Sequence, residues 1–312
     1  MSQIKRPIIL QGRGIHSGNP VNITILPAKS GGIVFRRVDM PGDADIVARY
    51  DNVGDTKFRN TTIGDVSGAH VQTIEHLMAA LFICGVRDAV VEIDNNETPI
   101  LDGSADKFIT AISESADAGG RKMPRIVVRR PVRVTVRDVR KTLPWGMRFK
   151  LWLMDLISHR RQDGFVELCP NGGKSLDISA TLVYAEKIIG RQSYDYSFDG
   201  TARAAARFIK DIARSRTFGK YSEWEYLKAH GMGRGADESN VIALNDAGDG
   251  TLNKLYFPDE FVRHKIIDAI GDMFTSGGFV VADVESYKGS HALNNAALKK
   301  LFSDAKNYDI LD

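Results

Sequence analysis

The chain has 312 residues, of which 43% are hydrophobic and 26% are charged, a composition typical of a globular protein. This length fits two domains, and a formal net charge of +3 is too small to indicate nucleic-acid binding. The N-terminus lacks the apolar core of a signal peptide, and no run reaches the roughly 18 apolar residues of a membrane span. Two distant cysteines, Cys84 and Cys169, argue against a disulfide framework. We therefore expect a cytoplasmic protein with no stable membrane insertion.

The first part of the chain mixes strand and helix patterns. Alternating apolar residues and short apolar runs predict strands at 21–26, 33–35 and 90–93. From His70 to Cys84 the apolar residues recur at helical spacing instead. After the Asp102-Gly103 turn, Ser104 is a suitable N-cap for a helix over 105–115.

A change of composition at Ala118-Gly119-Gly120 predicts a domain boundary near residue 120. The alternation that follows predicts a strand over 132–137, whose arginines most simply form a solvated face. An anion-binding or membrane-surface patch is the alternative, while the absence of interleaved aromatic residues over 121–141 speaks against a nucleic-acid module. Further helices are predicted at 204–213, 222–229 and 257–274. Strands followed by helices in both halves indicate two α+β layers.

Three segments carry side chains suited to catalysis, and the first is the helix 257–274. His264 and Asp268 are four residues apart and share one face, so both could bind one metal ion. Asp272 lies one further turn along the same helix. Taken alone, a His and an Asp at this spacing more often form a surface pair.

The second segment is Thr73-Ile74-Glu75-His76-Leu77, where an acid and an imidazole interrupt an apolar helix. A charged Glu there is costly unless it is paired, although a boundary Glu that reaches water is the simpler interpretation. The third segment is the Gly289-Ser290-His291 turn, which also fits an ordinary polar turn before the last helix.

Together the three segments fit a hydrolytic zinc centre, in which three protein ligands leave one position open for water. The ligands would be His76, His264 and Asp268. Glu75 could take a proton from the attacking water, and His291 could protonate the leaving amine. Asp272 could keep His291 charged, because a carboxylate raises the pKa of a neighbouring imidazole.

Six motifs follow one another over nearly the whole chain. They are Gly14-Ile15-His16-Ser17-Gly18, Thr73-Ile74-Glu75-His76-Leu77, Pro99-Ile100-Leu101-Asp102-Gly103-Ser104, Ser215-Arg216-Thr217-Phe218-Gly219, the block from Phe261 to Asp272, and His291-Ala292-Leu293-Asn294-Asn295. In this order they resemble the UDP-3-O-acyl-N-acetylglucosamine deacetylase family of lipid A biosynthesis.

The resemblance implies an α+β fold, a two-domain sandwich in which each domain is a β-sheet with helices packed between the layers. The expected domains are residues 1–120, which carry Glu75 and His76, and residues 121–312, which carry His264, Asp268 and His291. The segment 219–246 would form an apolar channel for an acyl chain. Candidate linings, which could equally be core, are Trp224, Tyr226, Leu227 and Met232.

The resemblance also implies a reaction, the zinc-dependent hydrolysis of the N-acetyl group of UDP-3-O-acyl-N-acetylglucosamine with release of acetate. Thr217 would then donate a hydrogen bond to the oxyanion of the tetrahedral intermediate. Lys265, Lys288 and Phe218 would contact the UDP-linked acylated glucosamine. We expect a monomer whose partner is this substrate, with no nucleic acid involved.

Three features depart from the family pattern. Residues 137–162 look like extra length with no family counterpart, and could form a surface hairpin, a partner contact or a lid. The family usually shows Asp-Phe-x-His-Pro where this chain has Thr181-Leu182-Val183-Tyr184-Ala185, so the aromatic ring expected on uracil is missing unless Tyr184 replaces it. Ser290 stands where a glycine usually precedes the catalytic histidine.

Two alternatives to the deacetylase remain open. The first is a zinc amidohydrolase paralogue of the same fold that acts on another acylated amino sugar, which the changes near Leu182 and the extra segment motivate. The second is a non-catalytic binding or regulatory paralogue. The presence of Glu75 and of all three proposed ligands argues against the second.

Overall fold

The computed structural model describes residues 1–42, 44–54, 60–142, 146 and 163–312. Its α-helices are α1 (Glu75–Ile83), α2 (Asp106–Ser115), α3 (Val136–Lys141), α4 (Ala202–Asp211), α5 (Tyr221–Ala229), α6 (Glu260–Phe274) and α7 (His291–Phe302). Its strands are β1 (Ser2–Ile4), β2 (Ile8–Arg13), β3 (Pro20–Pro27), β4 (Ile33–Arg37), β5 (Ala44–Val47), β6 (Ile63–Gly64), β7 (His70–Val71), β8 (Ala89–Ile93), β9 (Ala116–Ala118), β10 (Arg125–Val128), β11 (Val132–Thr135), β12 (Phe165–Cys169), β13 (Leu176–Val183), β14 (Arg191–Phe198), β15 (Phe218–Lys220), β16 (Ile242–Leu244), β17 (Phe279–Tyr287) and β18 (Tyr308–Leu311).

The first half of the chain builds a five-stranded sheet in the order β2-β3-β8-β4-β5. Neighbouring strands are antiparallel except β4 and β8, which are parallel. Along β3 the buried side chains are Val21, Ile23 and Ile25, one on every second residue, because successive side chains of a strand point to opposite faces. This sheet therefore presents one apolar face to the core.

The second half builds a seven-stranded sheet around the long strand β17. β17 is parallel to β10 and β13 and antiparallel to β12. β14 extends the sheet beyond β13, while β11 and β18 pair with β12 and β10 respectively. In β17 every residue from Phe279 to Ala282 is buried, as expected of a central strand.

Helices α1 and α6 pack against each other in the interior. All nine residues of α1 and 13 of the 15 residues of α6 are buried. A helix that is buried all round needs cover on every side, here from the sheets and the neighbouring helices. The ring of Phe82 in α1 lies 5.2 Å from Phe198 and 5.4 Å from Phe279, both strand residues of the second sheet. The predicted α+β fold is therefore confirmed, and one core runs through both halves.

Two predicted elements are wrong at their ends. The helix predicted over 70–84 begins only at Glu75, because His70–Val71 forms strand β7 and Thr73 adopts a left-handed backbone with φ +59°. The strand predicted over 132–137 ends at Thr135. There the Thr135 hydroxyl and the Asp138 carboxylate form a capping box that starts α3.

Several other expectations can be located in the fold. Arg133 is exposed on β11 and pairs with Glu167 at 2.7 Å, which agrees with a solvated arginine face. Of the extra segment 137–162, the described part includes the end of α3, while 143–145 and 147–162 lie outside the described residues. The domain boundary near 120 stays a prediction. No helix within the described ranges has the length and apolar character needed to cross a membrane.

Candidate metal centre and active site

The site forms where α6 crosses the N-terminal end of α1. Gly271 of α6 lies directly against the first residue of α1, and a Cβ atom at this position would sit 2.0 Å from the carbonyl oxygen of Glu75. Only glycine allows the two helices to approach so closely. The crossing places His76 of α1 opposite His264 and Asp268 of α6.

Three potential ligand atoms converge at this crossing. The Oδ1 atom of Asp268 lies 3.6 Å from Nε2 of His76 and 3.4 Å from Nε2 of His264. Ligand atoms bound to a tetrahedral zinc ion at about 2.0–2.2 Å are separated by roughly 3.4 Å, so this spacing fits one ion. All three side chains are buried, and Asp268 Oδ1 has no hydrogen-bond partner among the described residues. A buried carboxylate oxygen without a partner is costly, which points to a cation at this position.

The surroundings hold these ligands in metal-binding form. His264 Nδ1 lies 3.0 Å from the carbonyl oxygen of Ser215 and donates to it, which leaves Nε2 with a lone pair toward the site. Burial lowers the pKa of His264 to about 3, so its imidazole is neutral. Burial alone would raise the pKa of Asp268, but the charged Lys265 beside it holds this pKa well below its ordinary value. The Lys265 ammonium donates to Asp268 Oδ2 at 2.7 Å.

Glu75 is the first residue of α1 and lies beside the ligand cluster. Its Oε2 atom accepts a hydrogen bond from the N–H of Thr61 at 3.0 Å. Its Oε1 atom faces Nε2 of His291 at 3.7 Å. Burial raises the pKa of Glu75 above its ordinary value. A carboxylate whose pKa is raised toward the working pH is suited to accept a proton during catalysis.

His291 begins helix α7, and the hydroxyl of Ser290 caps that helix. The Nδ1 atom of His291 lies 2.8 Å from Oδ2 of Asp272. Burial opposes the charged imidazole, but the carboxylates of Asp272 and Glu75 outweigh it and raise the pKa of His291 to about 10. The imidazole therefore carries two protons at neutral pH and can donate one from Nε2.

Two cavities meet at this cluster. The first has a volume of about 400 Å³, reaches Glu75, His76 and Asp268, and has an apolar wall. Side chains of this wall include Trp224, Tyr226, Leu227 and Met232. The second, of about 520 Å³, has five ionisable acidic or basic side chains on its border. They are Glu186, Lys220, Glu223, Lys265 and His291. Tyr184, Phe218 and four of these five side chains, all but Glu186, line both cavities, so the cluster lies where an apolar pocket and a charged cleft share a border.

Comparison with known proteins agrees with this geometry. The sequence profile of the UDP-3-O-acyl N-acetylglycosamine deacetylase family matches residues 2–303. The chain belongs to this family. Proteins named UDP-3-O-acyl-N-acetylglucosamine deacetylase in Geotalea uraniireducens and Cellvibrio japonicus are 35% and 36% identical to it over 311 and 300 residues, which is 99% and 96% of this chain and 90% and 88% of theirs. One in Chromobacterium violaceum is 34% identical over 308 residues, 98% of this chain and 91% of its own length.

The predicted family and the predicted enzyme class, an amide hydrolase of the deacetylase type, are thus confirmed. The family is one of metalloenzymes, and the His76, His264 and Asp268 cluster is the matching candidate site.

Around the cluster of His76, His264 and Asp268, the structure brings together all the predicted site residues except Lys288. Thr217 lines the apolar cavity, where its N–H and carbonyl group bond to Gly103 and Ile242. Phe218 stands edge-on to His264 with ring centroids 6.5 Å apart. Lys288 instead pairs with Asp163 at 2.5 Å and lies outside the lining of both cavities.

Several polar residues of this site were not predicted from the sequence. Thr61 and Asn294 both donate to the Asp272 carboxylate, at 2.5 and 2.8 Å. Glu97 is buried and accepts hydrogen bonds from the backbone N–H groups of His16 and Ser17, both at 2.8 Å. Asn294 follows His291 by three residues on one helix, a spacing that could have indicated it. Thr61 is 211 residues from Asp272, and no local pattern connects them.

Proposed function

We propose that the protein hydrolyses the N-acetyl group of UDP-3-O-acyl-N-acetylglucosamine and releases acetate, with zinc held by His76, His264 and Asp268. The observation that carries this proposal is the convergence of two imidazole nitrogens on a buried carboxylate oxygen that has no hydrogen-bond partner in the described part of the chain. Relatives that share about a third of its sequence are named for this reaction.

The donor set supports zinc over other divalent ions. Two imidazole nitrogens and one carboxylate oxygen are a common ligand set of hydrolytic zinc sites. When bound, zinc supplies a Lewis acid and lowers the pKa of a coordinated water from 15.7 to about 7. The hydrogen bond from His264 to Ser215 orients one of these ligands toward the ion.

Glu75 and His291 divide the proton transfers between them. Glu75 takes a proton from the water as the water oxygen attacks the acetyl carbonyl carbon. The Thr217 hydroxyl donates a hydrogen bond to the carbonyl oxygen as it becomes an oxyanion. His291 then gives its Nε2 proton to the amide nitrogen as the C–N bond breaks, and acetate and the free amine leave. The carboxylate of Asp272 stabilises the charged imidazole before this transfer.

The two cavities match the two ends of the substrate. The apolar cavity, walled by Trp224 and Leu227, would take the 3-O-acyl chain. The charged cleft, with Lys265 and Lys220 on its border, would take the diphosphate. Tyr184 is 42% exposed at the border of this cleft and can stack on the uracil ring. A cytoplasmic, monomeric enzyme is part of the same proposal.

The test combines metal analysis with acetate release. Purified protein should contain one zinc per chain and release acetate from UDP-3-O-acyl-N-acetylglucosamine. His264→Ala should bind zinc more weakly in a titration, since a ligand is lost. Equal turnover of an acylated N-acetylglucosamine without UDP would refute the nucleotide substrate and favour an amidohydrolase for another acylated amino sugar. Absence of both zinc and acetate release would favour a non-catalytic paralogue.

A further inference from the structure

Thr61 connects the two proton-transfer groups, although no predicted motif contains it. It lies in the segment Asn60–Thr62, whose three residues are buried. Its N–H donates to Glu75 Oε2 at 3.0 Å, and its carbonyl oxygen accepts from the N–H of Ile74 at 3.3 Å. The backbone of Thr61 is therefore attached on both sides to the first turn of α1.

The side chain of Thr61 points away from Glu75, toward Asp272 and His291. Its hydroxyl oxygen lies 2.5 Å from Asp272 Oδ1 and 3.2 Å from His291 Nδ1. An ionised carboxylate can only accept hydrogen bonds, so the hydroxyl donates its single proton to Asp272. The Nδ1–H of His291 donates to the other oxygen of Asp272 at 2.8 Å. The transferable proton of His291 is therefore the one on Nε2, which faces Glu75.

Asp272 is held at both oxygens by this arrangement. His291 and Asn294 donate to Oδ2, and Thr61 donates to Oδ1. Without the Thr61 hydroxyl, the hydrogen bonds to Oδ2 alone would leave the carboxylate plane less defined. The plane of Asp272 in turn sets the direction of the His291 ring, as outer hydrogen-bond partners do for catalytic imidazoles.

We propose that Thr61 is a positioning residue for the hydrolysis. Its N–H fixes the proton acceptor Glu75, and its hydroxyl fixes the Asp272–His291 pair that delivers the second proton. One residue thereby sets the separation between Glu75 Oε1 and His291 Nε2, which is 3.7 Å. This inference rests on the proposed function, because it assigns Thr61 a role within that reaction.

Thr61→Val tests the hydroxyl alone, because valine has nearly the same shape and keeps the backbone N–H for Glu75. We expect kcat to fall by about 10- to 100-fold, the usual cost of losing such an orienting partner. KM should stay within about twofold, since Thr61 lines neither cavity and acts on the reacting state. Zinc content should be unchanged. Thr61→Ser keeps the hydroxyl and should restore most of kcat.

Thr62→Val is the matched control. Thr62 is equally buried, but its hydroxyl donates to Asn60 Oδ1 at 3.1 Å and not to the proton-transfer groups. If Thr61 had only a structural role, Thr61→Val and Thr62→Val would both have a lower melting temperature and would have similar values of kcat. A zinc-loaded Thr61→Val protein with kcat within about twofold of wild type would overturn the inference, as would a serine variant impaired as much as valine. Wild type that releases no acetate would refute the proposed function instead.

Discussion

The helix crossing and the wall of the apolar cavity are built differently, although both belong to one site. At the crossing, Asp268 and Asp272 are 4% and 2% exposed and belong to elements of the main core. The wall rests on a small separate core of Trp224, Val241 and Ala243. On α5, which carries part of this wall, Tyr226 is 64% exposed.

This difference separates chemistry from substrate selection. Proton transfer requires groups held within a fraction of an ångström, and a close-packed interior provides that. An acyl chain requires apolar area and little directionality, which a thin wall with its own small core can provide. Substitutions at the crossing should therefore change kcat, whereas substitutions in the wall should change KM and the preferred chain.

The largest expected effect comes from Glu75→Ala at the crossing. The variant should keep zinc, because Glu75 is not among the three converging ligands. It should lose most turnover, roughly 10²- to 10⁴-fold in kcat, since a positioned proton acceptor contributes about that much. Single-turnover acetate release together with metal analysis measures both quantities.

Glu75→Gln serves as the control for shape. Its amide oxygen can still accept from the N–H of Thr61, but the group cannot take up a proton. The two variants should therefore be similarly slow. An unchanged rate in either one would remove Glu75 from the mechanism and would end the distinction between the crossing and the wall.

A smaller effect, of a different kind, is expected from Trp224→Leu in the wall. Trp224 is 7% exposed and lines the apolar cavity, so the smaller side chain removes apolar contact from a bound chain. We expect KM for a long-chain substrate to rise about tenfold, with kcat within about twofold, because the lost contact is the same in the ground state and the transition state. Steady-state kinetics over a series of 3-O-acyl chain lengths measures it.

The control for Trp224→Leu is a substrate with a short 3-O-acyl chain, for which KM should stay nearly constant. Ser222→Ala is the matched variant on the same helix, since Ser222 is exposed and lies outside both cavity linings. A fall in kcat with KM unchanged for every chain length would show that the wall also shapes the chemistry.

Local sequence patterns predicted the parts of the site that depend on one helix. His264 and Asp268 share a face because they are four residues apart, and this holds wherever the helix lies in the fold. The approach of His76 depends instead on Gly271, whose missing side chain lets α6 meet α1. No periodic pattern shows which helix a glycine faces, so the meeting of His76 with α6 was inferred from the ligand number of a hydrolytic zinc centre and from the family resemblance.

Two places where the structure differs from what the sequence suggested have physical causes. Lys288 adopts φ +46° and its ammonium group pairs with Asp163, while its contact with substrate stays a prediction. A left-handed backbone in a non-glycine residue cannot be inferred from residue type. The end of β11 could have been predicted, because Thr135 and Asp138 have the spacing of a capping box, but the alternation of residues 132–137 suggested a longer strand.

The smallest expected effect lies outside both regions, at the capping box of α3, and should change stability without changing activity. The Thr135 side chain and N–H donate to Asp138 Oδ2 at 2.7 and 3.1 Å, and these bonds lower the pKa of Asp138 to about 2. A carboxylate whose pKa is lower in the folded state than in the unfolded state stabilises the folded protein. This stabilisation is complete when the pH is above the ordinary pKa of 3.8, and it is lost as the pH falls toward 2. Because the Asp138 side chain is 45% exposed and solvent screens its charge, Asp138→Asn should cost only about 0.5 kcal/mol at neutral pH. Denaturant unfolding of wild type and Asp138→Asn should give a difference in the free energy of unfolding that shrinks between pH 4 and pH 2. A difference that is constant across that range would mean that the charge of Asp138 contributes nothing to the cap.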